Sequence, residues 1–597
     1  MTPFTNILLL LIRAIYLRTH TKRSISTHSQ SFGSRPLSRL LIVPSVEHNK
    51  RNQNENVNDQ WHTLLITYSI ALQQSRSALH IFLLSLVALQ QLDLGASSRI
   101  LAAFFFPGKS HFMMTNAIIR ELVRQGHEVT FITPFSLAKE KLGPNYKEIV
   151  IPQYDFWPEI KEMTKRDTVL EMTDLPNFSF LRMVNVMGVH STDFAFEQPE
   201  IQAVINEKNK VGKYDLLLAE QFFNEGALIL GHLYQIPIIT VSTFGNANYL
   251  SQLFGIVSPW SYVPHAYMPY TDRMSLWERI SNVAINAAED LTREFSYYPG
   301  QDAVLLLDRV PTIKELERNI SAILLNTYMP LASARPMSYN MIPVGGLHIQ
   351  PPKALPEHIQ KFLDDANHGA IYFSLGSQVR SADLPPEKLK IFLDVFGSLK
   401  QRVLWKFEDE TLPNLPANVK VQSWMPQADI LAHPNVKVFI AHGGLFGTQE
   451  AVYNGIPILG MPVYCDQHQN INQGKNAGYA LGLDYRTVTA EELRGLLLEL
   501  IENPKYRNNI NRASRVFRDR PLGAMDTAMY WINYVIEHRG APHLVAAGVE
   551  LPWYQFYLLD IVALALAAIL LPIVALILLC RSSSSKGKDS PRKTKIN

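Results

Sequence analysis

Strand-length apolar runs that end in a turn and lead into a helical segment recur in both halves of this 597-residue chain. In the first half, residues 100–106 precede a helical segment from about 112 to 124. In the second half, residues 436–440 precede one from about 447 to 453. Continuous apolar, β-branched runs are typical of strands buried on both faces, and their alternation with helices is typical of parallel sheets. The pattern predicts two doubly wound parallel α/β domains.

Residues 424–427 (Trp-Met-Pro-Gln) carry groups suited to a flat heteroaromatic base. Trp424 offers a ring face, and stacking of a base on an aromatic side chain contributes roughly 1–3 kcal/mol in comparable contacts. Gln427 offers an amide that can donate and accept at the edge of a base. A lone tryptophan is more often a half-buried core residue, so this interpretation depends on the residues that follow.

The His-Gly-Gly turn at residues 442–444 is suited to a diphosphate. Unpaired backbone N–H groups and the positive end of the helix dipole meet at the start of a helix, and glycines let the backbone approach a phosphate closely. His442 can donate a hydrogen bond there, and Glu450, one turn into the helix, can accept from both hydroxyls of a ribose. Asp466 and Gln467 follow a predicted strand, where a carboxylate and an amide can bind sugar hydroxyls.

In order and spacing these pieces resemble the donor-site signature of the UDP-glycosyltransferases, which include the animal glucuronosyl- and glucosyltransferases. The resemblance covers residues from about 99 to 580 and is greatest toward insect members. It implies the two-domain GT-B fold with the active site in the cleft. It also implies roles for individual residues: uracil stacking for Trp424, a base amide contact for Gln427, diphosphate binding for Ser377, His442 and Gly444, ribose binding for Glu450, and sugar binding for Asp466 and Gln467.

Two positions depart from the common pattern of that family. Phe446 stands where many relatives carry Asn, so that phosphate contact is expected to come from backbone N–H groups. Ala441 replaces a common Thr or Ser, which is expected to be a mild change.

A predicted βαβ unit places His111 beyond the carboxyl end of strand 100–106, where parallel sheets bind ligands. Imidazole titrates near neutral pH and can take the proton from an acceptor hydroxyl. The resemblance gives His111 that role and places an orienting carboxylate after strand 214–219. Glu220 stands there, in place of the Asp of many relatives, whereas Asp215 at the start of the strand is expected to point away. Without the resemblance, His111 would be interpreted as an exposed loop histidine.

Motifs and composition argue against several other functions. The segment 107–110 lacks the upstream glycine of a P-loop, and no Gly-x-Gly-x-x-Gly follows residue 106, which argues against a nicotinamide enzyme. A formal net charge of +3 gives no indication of a nucleic-acid partner. The donor half has no Asp-x-Asp pair or His/Cys cluster, so no metal and no cofactor are expected, the UDP-sugar being a co-substrate. Cys465 and Cys580 are not expected to pair.

A continuous apolar run, residues 561–580, lies near the C-terminus, and Pro572 is the only helix-breaking residue in it. At 1.5 Å per residue it is about 30 Å long, the thickness of the bilayer core. Aromatic residues precede it, and a tail rich in Lys and Arg follows. The positive-inside rule predicts a cytosolic tail, with the catalytic body across the membrane. The last residues resemble a dilysine retrieval signal, so a single-pass type I protein of the endoplasmic reticulum membrane is expected.

Ahead of the first domain, residues 78–89 resemble the core of a signal peptide, and residues 95–98 offer a plausible cleavage region. Residues 1–77 form a polar extension without a domain pattern, interpreted either as an appended or wrongly assigned leader or as a transit peptide. Sequons at Asn177 and Asn319 are compatible with a luminal location.

The expected organisation has eight segments. They are an extension (1–77), a signal-peptide-like segment (78–98), an acceptor-binding domain (99–330), a connector (331–346), a UDP-sugar-binding domain (347–523), a helix packing back with a membrane approach (524–552), a transmembrane helix (553–580) that contacts lipid, and a basic tail (581–597).

The expected activity is inverting transfer of a hexose from a UDP-sugar to a small lipophilic alcohol or phenol, as in detoxification or endobiotic conjugation. UDP-glucose is the expected donor and UDP-glucuronate the alternative, and the aromatic, Met-rich stretch 244–274 suits such acceptors. Two other classes stay open: a non-catalytic UDP-sugar-binding membrane protein, and a membrane-anchored receptor or structural protein. The sequence does not indicate the oligomeric state, and a homo-oligomer stays open.

Overall fold

The computed structural model describes residues 97–305, 310–409 and 412–586. The predicted extension 1–77, the signal-peptide-like segment as far as residue 96 and the basic tail from residue 587 lie outside the described residues. The described part contains two parallel sheets with helices against their faces.

The first sheet consists of the strands Arg99–Ala103 (β1), Glu128–Thr133 (β2), Tyr146–Val150 (β3), Leu216–Glu220 (β4), Ile238–Ser242 (β5), Ile320–Leu325 (β6) and Met341–Pro343 (β7). All pair in parallel, in the spatial order β3-β2-β1-β4-β5-β6-β7. Successive side chains of β1 and β4 enter apolar layers on opposite faces, as expected for strands buried on both sides. The strand order reverses between β1 and β4, and such switch points are where doubly wound sheets bind ligands.

The helices of the first domain are Lys109–Arg124 (α1), Trp157–Thr164 (α2), Ser179–Glu197 (α3), Pro199–Ile205 (α4), Ile229–Tyr234 (α5), Asn248–Leu253 (α6), Leu276–Thr292 (α7), Tyr298–Val304 (α8) and Ile313–Glu317 (α9). Helix α1 begins earlier than the sequence pattern predicts, because the Phe112 N–H already donates to the Gly108 carbonyl (3.0 Å). His111 therefore lies in the first turn of a helix and not in a loop.

The second sheet consists of Ala370–Ser374 (β8), Arg402–Lys406 (β9), Val419–Gln422 (β10), Val436–Ala441 (β11), Ile458–Gly460 (β12) and Ala480–Gly482 (β13). These strands are also parallel, in the spatial order β10-β9-β8-β11-β12-β13. The helices of this domain are Glu357–Asp364 (α10), Pro386–Ser398 (α11), Gln427–Leu431 (α12), Leu445–Asn454 (α13), Gln467–Asn476 (α14), Ala490–Glu502 (α15) and Pro504–Arg518 (α16). The central pair β8 and β11 again has its carboxyl ends free for a ligand.

Two segments between and after the domains return to the first sheet. Strand β7 lies inside the stretch predicted as a connector, 331–346, and pairs with β6 as the edge strand. Helix Ala524–Glu537 (α17) buries Met529 and Ile532 in the apolar layer that also contains Ile100 of β1. The chain thus crosses back to the first domain before it continues to Trp553–Phe556 (α18) and Leu559–Lys586 (α19). The segment Leu559–Ser582 is long and apolar enough to cross a membrane, and none of it is buried by the protein.

Helix α14 joins the two domains across the cleft between their sheets. Its Gln469 side chain donates to the His265 carbonyl (3.1 Å), and Asn472 donates to the Pro269 carbonyl (2.7 Å). Gln449 of α13 adds a bond to the Asn326 carbonyl (3.2 Å) at the end of β6. The carboxyl ends of both sheets therefore face one cleft.

Candidate active site

His111 and Glu220 meet at the carboxyl ends of the adjacent strands β1 and β4. His111 Nδ1 lies 2.5 Å from Glu220 Oε1. Since an ionised carboxylate only accepts hydrogen bonds, Nδ1 carries the proton, and Nε2 is left as the acceptor nitrogen. Glu220 is the last residue of β4 and buried, whereas the His111 side chain lines the cleft. Asp215 lies at the opposite end of the strand, where it pairs with Arg99 (2.8 Å).

Thr243 is a third member of this cluster, and the sequence analysis did not find it. It follows β5, and its hydroxyl donates to Glu220 Oε1 (2.9 Å) and lies 2.8 Å from His111 Nδ1. Glu220 Oε2 is buried and has no hydrogen-bond partner in the described part of the chain. One carboxylate oxygen thus holds both the imidazole and the hydroxyl. The sequence shows only a Thr directly after the apolar run 238–242, and the pairing of β5 with β4 is what brings it to Glu220.

Aromatic rings enclose the His111 imidazole. Phe106 lies 4.7 Å from it between ring centroids, and Phe222 lies 4.6 Å from it. These rings belong to the wall of a cavity of about 660 Å³ to which both domains contribute. Its half in the first domain is lined mainly by apolar side chains, namely Phe106, Met113, Phe156, Trp157, Ile160, Val169, Met172, Met183, Val184, Met187, Phe222 and Phe244. The predicted stretch 244–274 supplies only Phe244 to this wall, and most of the rest comes from α2, α3 and the segment between them.

His442 occupies the opposite wall, at the carboxyl end of β11. Its imidazole fits between two glycines: a Cβ at Gly376 (φ 81°) would lie 2.5 Å from the ring, and a Cβ at Gly444 would overlap Nε2. Burial, with Lys406 nearby, lowers the pKa of His442 to about 4. The ring is neutral at physiological pH and can donate one hydrogen bond. Gly444 is also the N-cap of α13, so the first N–H groups of that helix open toward the cavity.

Glu450 lies one turn further along α13. Its Oε2 accepts from Gln427 Nε2 (2.7 Å), and its Oε1 lies 3.7 Å from Nε2 of the buried His348. Burial raises the pKa of Glu450 to about 7, although the Gln427 bond acts in the other direction. The carboxylate and the amide predicted for ribose and base are therefore bonded to each other.

Asp466 and Gln467 begin helix α14. Burial raises the pKa of Asp466 to about 6, against the opposing effects of its bond from Asn470 and of the nearby His111. Gln467 Oε1 accepts from the backbone N–H groups of Val463 (2.8 Å) and Tyr464 (3.2 Å), which orders the turn before the helix. Asp466 thus lies near the predicted base although it belongs to the other domain.

Trp424 and Ser377 are exposed at the mouth of the donor half. The Trp424 side chain is 57% exposed, and the only cation near its ring in the described residues is Lys109, whose Nζ lies 5.7 Å from the ring centroid across the cleft. Ser377 follows Gly376 beyond the end of β8.

Nine of the ten predicted site residues line this one cavity, and Glu220 lies directly behind His111. The structure also adds residues to the donor wall that the sequence analysis did not name, among them Tyr372 and Lys406. Lys406 is bonded to Glu408 (2.6 Å), and the Tyr372 hydroxyl is buried without a partner in the described residues. Across those residues, no group of three or more His, Cys, Asp and Glu side chains is placed to hold a metal ion.

Solved structures show which fold this two-domain arrangement represents. The chain superposes on the glycosyltransferase VinC in complex with DTDP with a TM-score of 0.52 and 14% identity, covering 74% of this chain and 100% of that one. A UDP-glucosyltransferase from Polygonum tinctorium capable of glucosylating indoxyl gives a TM-score of 0.50 at 17% identity, covering 74% and 99%. The fold is therefore the GT-B fold of glycosyltransferases, as predicted.

Sequence comparison then defines the family. The family model described as "UDP-glucoronosyl and UDP-glucosyl transferase" matches residues 105–590. UDP-glycosyltransferase UGT5 of Dactylopius coccus is 36% identical over 499 residues, covering 81% of this chain and 91% of the relative. UDP-glucuronosyltransferase 2B15 of Rattus norvegicus is 32% identical over 481 residues, covering 78% and 89%. The chain belongs to the UDP-glycosyltransferase family and is a glycosyltransferase that uses a UDP-sugar.

Proposed function

We propose that this enzyme transfers glucose from UDP-glucose to the hydroxyl group of a small lipophilic alcohol or phenol, with inversion at the anomeric carbon. The observation that carries the proposal is the His111–Glu220 pair, which lies where an apolar cavity half meets a polar half. An acceptor in the apolar half and a UDP-sugar in the polar half would meet at the His111 ring.

The reaction is a single displacement. His111 Nε2 takes the proton of the acceptor hydroxyl while the oxygen attacks the anomeric carbon from the face opposite UDP. The bond from that carbon to the diphosphate oxygen breaks, and UDP leaves with the electron pair. Glu220 and Thr243 keep the imidazole in the tautomer that accepts at Nε2, and the Glu220 carboxylate stabilises the imidazolium that forms.

The negative charge that develops on the leaving diphosphate is stabilised by fixed hydrogen-bond donors of the protein instead of by water. We propose the N–H groups at the start of α13 and the neutral His442 as these donors. Preorganised donors of this kind are commonly the largest catalytic contribution. We therefore propose that the transfer needs no metal ion and no cofactor.

The choice of donor sugar rests on the charge at the sugar end of the cavity. Asp466 lies there near His111, so a uronic acid carboxylate would face another carboxylate. Among the described lining residues, the Lys side chains are Lys109, beside the Trp424 ring, and Lys406, bonded to Glu408. Neither of them is assigned to the carboxylate of a uronic acid. UDP-glucuronate is the second candidate, because relatives at 32% identity are named glucuronosyltransferases.

The membrane arrangement follows from charge and hydropathy. We propose that α19 crosses the endoplasmic reticulum membrane once, with both catalytic domains luminal and the basic tail cytosolic, as the positive-inside rule predicts. Lipophilic acceptors dissolved in that membrane would be available to the apolar half of the cavity.

The test is UDP release by the full chain in membranes, with UDP-glucose or UDP-glucuronate and a simple phenol. Wild type should release UDP faster from UDP-glucose, and His111→Ala should lose roughly 10²–10⁴ in turnover, the range for general-base catalysis, while it still binds UDP. The matched control is His232→Ala, on the exposed side of α5, which should keep wild-type turnover. Unchanged turnover in His111→Ala would refute the assigned base. Tight UDP binding without release from either donor, across a panel of phenols and alcohols, would favour the non-catalytic alternative.

A further inference from the structure

Helix α7 presents its apolar side to the outside and its polar side to the protein. Side chains on its buried side include Asn282, Asn286 and Glu289. At helical spacing, the opposite side forms an exposed stripe, which ends just beyond the helix. This stripe, hereafter the α7 apolar face, consists of Leu276, Trp277, Ile280, Val283, Leu291 and Phe295, with Trp277 and Phe295 each 76% exposed.

Hydrogen bonds fix the helix in this orientation. Asn282 donates to the Trp260 carbonyl (2.7 Å) and to the Val263 carbonyl (3.0 Å), and it accepts from the His265 N–H (2.7 Å). Asn286 accepts from Asn248 Nδ2 (2.6 Å). Rolling the helix to bury the apolar face would leave these buried polar groups without hydrogen-bond partners, which is unfavourable. The exposure of the apolar face is therefore built into the fold.

The carboxyl-terminal end of α7 lies beside the chain that leads into α19. Backbones approach closely at Gly255, where a Cβ would lie 2.9 Å from the Val549 nitrogen, and Gln252 next to it bonds to Asp290 of α7 (3.2 Å). Tyr557, two residues before α19, lies near the Asp290 carboxylate of α7. The α7 apolar face thus ends beside the segment that leads into α19.

We propose that the α7 apolar face rests at the boundary between lipid headgroups and acyl chains of the membrane that α19 crosses, as a second membrane contact of the first domain. Helices with one strongly apolar side lie in this layer, and tryptophan is enriched there. Contiguous apolar patches of this kind on water-exposed surfaces are rare. This inference rests on the proposed crossing of the membrane by α19. With that membrane at one end of the face, the bilayer is the occupant in preference to a second copy of the chain.

Photocrosslinking in lipid tests this proposal on the full chain. A diazirine amino acid replaces Trp277 or Ile280 in protein reconstituted into phosphatidylcholine vesicles. The same label at Tyr554, in α18 just before α19, is the positive control. The matched negative control is Val211, an exposed apolar residue that precedes β4 at the amino end of the first sheet. UDP binding by each labelled chain verifies that it is folded.

Lipid adducts at positions 277 and 280 should form in yields similar to position 554 and severalfold above position 211. Crosslinks at 277 and 280 that join two copies of the chain would overturn the proposal in favour of a dimer interface. Yields at both positions no higher than at position 211 would overturn it in favour of a solvent-exposed face. Neither result bears on the donor or acceptor, because the readout does not depend on sugar transfer.

Discussion

Glu220 Oε1 lies 2.5 Å from His111 Nδ1, and Thr243 donates to the same oxygen. His111 lies in the first turn of α1, beyond β1, and the other two residues lie at the ends of β4 and β5. These three strands are consecutive neighbours in the sheet although far apart in the chain. The Glu220 side chain, one methylene longer than that of an Asp, reaches the imidazole from the end of β4. We therefore expect Thr243 to act as a positioning residue that fixes the carboxylate oxygen to which the proposed base is bonded.

Removal of the Thr243 hydroxyl should lower turnover without weakening the binding of the UDP-sugar. Thr243→Val loses a hydrogen bond to a charged group, worth about 1.5–3 kcal/mol, so kcat should fall at least about tenfold. Thr243→Ser keeps the hydroxyl and should retain most of the activity. Steady-state kinetics should show the loss in kcat, with KM for the UDP-sugar unchanged. Equal losses in the Val and Ser variants would show that the methyl group and its packing matter instead.

The glycines around His442 predict a different kinetic effect. A Cβ at position 444 would overlap Nε2 of His442, so Gly444→Ala should displace the ring and raise KM for the UDP-sugar. The control is Gly495→Ala, within α15, where a Cβ meets nothing within 4 Å. That variant should keep wild-type kinetics and gain roughly 0.5–1 kcal/mol in stability, measured by denaturant unfolding. A Gly444→Ala enzyme with unchanged UDP affinity would argue against His442 as a donor contact.

The fold could be predicted because its strands are buried on both faces, which leaves a continuous apolar run in the sequence. The predicted runs 100–106 and 436–440 correspond to Arg99–Ala103 (β1) and Val436–Ala441 (β11). The edge strand β7 was not recognised, since three residues between prolines and glycines carry no periodicity.

The grouping of the proposed donor-binding residues on one cavity wall was predictable because most of them lie close together in sequence, within turns whose glycines are visible. Thr243 was not, because its function depends on β5 lying next to β4 in space. Met183 and Met187 were missed for another reason: apolar residues of a helix have the same pattern whether they face a core or a cavity.

Metal removal should leave the rate unchanged. The diphosphate charge is expected to be stabilised by the N–H groups of α13 and by His442. Dialysis of the membranes against EDTA should therefore preserve UDP release from UDP-glucose. A loss that added Mg²⁺ or Mn²⁺ restores would show that the transfer depends on a metal ion.

Membrane topology can be read from the sequon at Asn319. This residue is exposed just before β6, in the first domain, whereas Asn177 is half-buried. If the domains are luminal, Asn319 should carry a glycan, and Asn319→Gln should remove one mobility shift on a gel. Ser321→Ala, which destroys the same sequon, should have the same effect. A chain that is not glycosylated and is digested by protease added to intact microsomes would place the domains in the cytosol.

UDP binding should release a proton through Glu450. Burial holds the pKa of this carboxyl at about 7 in the free enzyme, so near neutral pH a large fraction is protonated. Ribose hydroxyls that donate to the carboxylate favour its ionised form, and binding therefore lowers the pKa. At pH values between the Glu450 pKa of the bound enzyme and that of the free enzyme, UDP binding releases a proton. The affinity for UDP therefore rises with pH until about pH 7 and then levels off. Calorimetry near pH 6.5 in buffers of different ionisation enthalpy measures this release. Glu450→Gln should abolish that part of it, since the amide does not titrate, and an equal release from both proteins would exclude Glu450 as the ribose contact.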